Sequence, residues 1–89
     1  MNEQKFRAEL KETGFECTEF SIAPNVENPE HSHPWQAKVL ILEGALTLST
    51  SGSERTYGPG ETCGLDGNVL HAEHAGPAGV RGLVGKKTS

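Results

Sequence analysis

The chain has 89 residues and a formal net charge of −4, few enough residues for one domain with a compact core. Its eight Lys and Arg residues are scattered, so no continuous basic surface is on offer and nucleic acid is not an expected partner. No apolar run is long enough to span a bilayer, and the first residues, MNEQKFRAEL, lack the apolar stretch of an export signal, so the expectation is a cytoplasmic protein without membrane partners.

Residues 3–13 read as a helix: good helix formers, Phe6 and Leu10 four apart on one face, and Gly14 placed to stop it. This defines an N-terminal helical segment, 1–14, ahead of a second unit, 15–89. Seven of the twelve acidic residues precede His31 and read as a solvated face. After Gly14 the sequence breaks into short strand-like runs punctuated by Gly, Pro, Asn and Ser. Phe15 to Ile22 is extended, with a face switch between Cys17 and Phe20. Val39 to Leu42 reads as a strand buried on both faces. Beyond Gly44 the pattern alternates, Leu46 and Leu48 against Thr47 and Ser49.

Ser51-Gly52-Ser53 makes a hairpin turn and Arg55 to Tyr57 the return strand. Gly58-Pro59-Gly60 turns the chain into a strand over Thr62 to Leu65. Asp66-Gly67-Asn68 turns it again into a strand over Val69 to Glu73. Gly76 to Gly79 then separates that strand from a last one around Val80 to Val84. Short strands at roughly ten-residue spacing define an all-β sandwich or barrel. Cys17 and Cys63 form no metal or redox spacing and are expected as reduced, buried thiols rather than a disulfide.

His31 and His33 stand one residue apart. On an extended strand, residues i and i+2 share a face, so both imidazoles can aim at one point, which suits a metal ion. Alone the pair is a weak signal and reads more readily as part of a rigid polar loop between Pro29 and Pro34. Further along, Gly44 closes the apolar strand, and "YGPGETCGLDGNVLHAE" ends in His71 and Glu73.

Taken together, these residues resemble the cupin superfamily, whose motifs run G-x5-H-x-H-x3-E-x6-G and P-x-G-x(n)-H. His31 and His33 match the paired histidines, Gly44 the closing glycine, Pro59 and Gly60 the second motif in compressed form, and His71 its terminal histidine. Asn25 takes the opening glycine's place. Ala37 stands where most of the family has a metal-binding glutamate, and the neighbouring Gln36 points to the other face by the strand period.

The resemblance implies a double-stranded β-helix, the jelly-roll barrel, whose mouth holds a divalent transition metal: Fe, Ni, Zn, Mn, Co or Cu. His31, His33 and His71 would be its ligands, leaving coordination positions open to a small anionic or oxygen-rich molecule. The family includes dioxygenases that use three histidines without a carboxylate, and isomerases, lyases and sensors besides. Glu73, two residues past His71 on the same face, is the candidate catalytic base or a fourth ligand, with a rim carboxylate steadying a histidine as its plainer role. His74 faces the opposite way and reads as a surface residue. Trp35 either walls the pocket or packs at a subunit contact. The alternative to an enzyme is a non-enzymatic module that senses a small ligand. Exposed sheet edges in so small a barrel favour a homodimer, with Phe15 to Ile22 the segment to pair or exchange.

Overall fold

The computed structural model describes residues 1–88. Helix α1 runs Glu3–Glu12, one residue shorter than the sequence suggests. The Asn2 side chain caps it, accepting from the Lys5 amide at 2.8 Å, and Arg7 pairs with Glu3 one turn back at 3.0 Å. At its end the Thr13 amide donates to Glu9, and Gly14 takes a left-handed φ of 81°. Phe6 and Leu10 are buried against Phe15, Leu40 and Leu83, so the helix closes one side of the barrel.

Six strands follow: β1 Glu16–Ile22, β2 Glu27–His31, β3 Gln36–Thr50, β4 Ser53–Tyr57, β5 Thr62–Leu65 and β6 His71–Lys87. β3 and β6 pair with each other along almost their whole length, from Gln36 opposite Lys87 to Thr50 opposite His71. Each belongs to two layers. In one layer the order is β1, residues 80–87 of β6, residues 36–44 of β3, then β5. In the other it is β2, residues 71–75 of β6, residues 46–50 of β3, then β4. This is the jelly-roll expected from the sequence.

The layers are joined at a corner. Gly44 pairs with Val80 and Leu46 with Ala75, so Ala45 alone stands opposite residues 76–79. Gly44 and Gly79 have φ of 80° and 77° there, and a Cβ on Gly44 would overlap the carbonyl oxygen of Gly79. The sequence suggests that Gly76 to Gly79 ends one strand before another begins. Instead the tetrapeptide is the bulge that lets one strand turn the corner. The strand expected to start at Val69 starts at His71, because Val69 and Leu70 still belong to the incoming connection.

Val39 to Leu42 has both faces covered, as expected. Leu40 and Leu42 face the helix-side cluster, whereas Val39 and Ile41 face a second cluster built on Leu46, Ala75 and Val80. β1 switches faces as anticipated: Cys17 joins the first cluster, Phe20 and Ile22 the second. Ser51 and Gly52, at φ of 45° and 78°, make the two-residue turn between β3 and β4.

The corner makes Gly44 and Gly52 unequal although both are left-handed. A Cβ on Gly52 meets nothing within 4 Å. Gly52→Ala should cost only the backbone penalty, about 1–2 kcal/mol, while Gly44→Ala should cost roughly 3 kcal/mol or more or prevent folding. Urea denaturation midpoints of the two variants measure this.

Candidate metal centre

His31 ends β2, His71 begins β6, and the two are register partners. His33 lies just past the end of β2, in the connection to β3, rather than on a strand as its spacing suggests. The bend brings it to the same point. The ligating nitrogens of His31, His33 and His71 all lie within 4.8 Å of one another. Two nitrogens on one ion at about 2.1 Å are at most about 4.2 Å apart, so the set would have to draw slightly closer to share an ion. His71 is buried at 5% exposure and the other two are half-buried.

Backbone carbonyls fix two of the rings. His31 Nδ1 lies 2.6 Å from the carbonyl oxygen of Pro29, and His71 Nδ1 lies 2.9 Å from that of Val69. A carbonyl only accepts, so each Nδ1 carries the proton and donates it. Nε2 is then left with its lone pair free, as a metal ligand requires. Among the described residues His33 has no such bond, and it is held by stacking on Trp35, with ring centroids 4.6 Å apart and planes 6° apart. Burial first, then the neighbouring His31 and His71, holds the His33 pKa below the ordinary 6.5 and favours the neutral imidazole.

A cavity of about 300 Å³ opens beside the cluster, lined by His33, Trp35, Ala37, Cys63, His71 and Glu73 among others. Ala37 faces it and Gln36 is exposed, as the strand period requires. Glu73 lines it too, half-buried, outside the histidine cluster, with Asn28 Nδ2 donating to its Oε1 at 3.1 Å. His74 is exposed and takes no part in the cluster. The cysteines are free, but half-buried rather than buried. Burial, with Glu73 nearby, pushes the Cys63 thiol up to about 11, so it stays protonated.

Two members of the site do not stand out in the sequence. Asn28 anchors Glu73 only because β2 pairs with β6. Lys86 lines the cavity, and counting by twos from Val84 along β6 was the signal for it.

The Cupin domain model matches residues 18–80, and the chain belongs to the cupin family. Solved structures share the barrel. A conserved Streptococcus pyogenes protein of unknown function is 24% identical with a TM-score of 0.75, and the match covers 84% of this chain and 65% of that one. A cupin superfamily protein of Desulfitobacterium hafniense is 19% identical at a TM-score of 0.74, over 84% of this chain and 68% of that one. The polyketide cyclase RemF of Streptomyces resistomycificus is 33% identical at a TM-score of 0.70, over 81% of this chain but only 54% of the cyclase. No curated protein matches the chain.

A histidine whose pKa is lowered by folding takes up its proton more readily in the unfolded state. Its contribution is therefore neutral above 6.5 and destabilising as pH falls below that value. Metal-stripped protein should lose stability as pH falls below 6.5, and His33→Asn should flatten the slope. Thermal melts of both proteins across pH 5 to 8 check it.

Proposed function

We propose that this cupin holds one divalent transition metal through His31, His33 and His71 and acts as a metal-dependent enzyme on a small, oxygen-rich or anionic molecule bound in the barrel cavity. The observation that carries the reading is the pair of backbone carbonyls that fix His31 and His71 with Nε2 free. Three neutral imidazoles suit Fe, Ni, Zn, Mn, Co or Cu, and the alanine at position 37 keeps a coordination position for water or substrate. The bound metal would supply Lewis-acid polarisation of a ligand oxygen.

The chain's own residues supply the rest. Glu73, steadied by Asn28, is a carboxylate inside a largely apolar cavity, and serves as the base that takes a proton from the ligand. His33 and Trp35 wall the site against water. Similarity to a protein that carries the name polyketide cyclase favours an isomerase- or lyase-type proton transfer over dioxygenation. The protein works in the cytoplasm.

Metal analysis of untagged protein tests this reading. Wild type, Glu73→Gln and His74→Ala should each carry about one metal ion per chain. His31→Ala, His33→Ala and His71→Ala should lose most of it while remaining folded. Full occupancy in folded His71→Ala would refute the ligand set. Glu73→Gln should also slow deuterium exchange at the carbon beside a bound ketone carbonyl by about a hundredfold or more.

The homodimer belongs to the same proposal. β1 hydrogen-bonds only to β6 among the described residues, leaving its outer edge open to a second copy. Light scattering should give twice the monomer mass at micromolar concentration, and a lone monomer would remove the idea.

A further inference from the structure

The mouth of the cavity carries a charge that the metal reading leaves unused. Lys86 is in register with Ala37 on β3 and with Glu16 on β1, and it lines the cavity. Glu16 is exposed and does not reach it. No carboxylate among the described residues lies within ion-pair distance of the Lys86 ammonium, which instead sits 5.0 Å from the centre of the Trp35 ring. That ring in turn stacks on His33, so one aromatic plate joins the cation to the histidine cluster. The indole Nε1 of Trp35 is shielded from solvent and has no hydrogen-bond acceptor among the described residues.

The other charged groups facing the cavity lie elsewhere. Glu73 is on the opposite layer, occupied by Asn28, and Asp66 is exposed at the rim. Between these groups the walls are apolar: Phe20, Val39, Leu46, Leu48, Leu65 and Val84. We infer that Lys86, on its Trp35 plate, is the acid-binding end of this cavity, and that the ligand is a flat, largely apolar carboxylic acid. Its acid group meets Lys86 and its ring lies among the apolar walls. The metal end of the cavity rests on the function proposed above; the acid end does not.

Lys86 is exposed at the cavity mouth, where its ammonium lies over the Trp35 ring beside the apolar walls. A carboxylate arriving there meets an unpaired positive charge while its ring enters the apolar cavity. Neutral molecules of the same shape gain only the apolar contact. Small acids without a ring gain only the charge.

Trp35 is the sole tryptophan, so its fluorescence reports binding in this cavity directly. The test titrates full-length protein, metal-loaded and metal-stripped, with 2-naphthoate, its neutral amide and acetate, with calorimetry as the second readout. 2-Naphthoate should bind about tenfold or more tighter than the amide, and acetate weakest, in both forms. Lys86→Met should abolish the preference for acid over amide, leaving the affinity for the amide and the metal content unchanged. The proposal is overturned if the preference survives in Lys86→Met, if acid and amide weaken together, or if neither naphthyl compound binds. Should the chain take up no metal while the Lys86-dependent preference holds, the metal reading fails and this one stands. Should metal bind at one per chain with no such preference, the reverse follows.

Discussion

The site depends on one backbone constraint, the corner at which Gly44 and Gly79 pass each other. A strand as long as β3 or β6 cannot serve both layers of a barrel unless it turns sharply, and there is no space at the turn for a side chain. Because both strands turn at the same level, both ends of each return to the mouth. His71 and Lys86 lie close to the two ends of β6, and Ala37 and Thr50 at or near the two ends of β3. The cluster of three histidines, the Trp35 plate and the lysine therefore meet at one opening although they are far apart in the chain.

The mouth is also where the backbone runs out of strand partners, and the protein uses that. The carbonyls of Pro29 and Val69 each accept from the imidazole two residues later. This leaves each of the two register-paired histidines with Nε2 as the nitrogen free to take a ligand. The third histidine is positioned by ring stacking, and burial keeps it neutral. Metal affinity at such a site should fall with acidification, since each imidazole must shed its proton to bind. The side of the barrel away from the cavity is covered by the helix, with Phe6 and Leu10 over Leu40 and Leu83 and Lys87 Nζ donating to the Thr13 carbonyl at 2.9 Å.

Much of this was legible in the sequence. Period-two alternation marked β3 and the face switch in β1, the glycine-rich pairs marked the hairpin, and the joint spacing of His31, His33, Gly44 and His71 pointed to the cupin barrel. What was not legible involved long-range pairing. Gly76-Pro77-Ala78-Gly79 has the composition of a loop, and only its pairing across from Ala45 makes it a corner within a strand. β2 is short and polar, with Pro29 inside it, so no hydrophobic pattern announces it. Asn28 anchors Glu73 only through the register of β2 on β6. Lys86 looks like a tail residue beside Lys87 until the register sets it, still exposed, at the mouth of the cavity.

The most direct test of the metal centre uses the stacking of His33 on the only tryptophan. Metal-stripped, untagged protein would be titrated with Co²⁺ while Trp35 fluorescence and the visible cobalt bands are followed together. The account predicts that both change in parallel and saturate at about one equivalent, and that His33→Ala abolishes both changes. Cobalt bands that develop fully while the fluorescence of Trp35 stays constant would place the metal away from His33 and contradict the account.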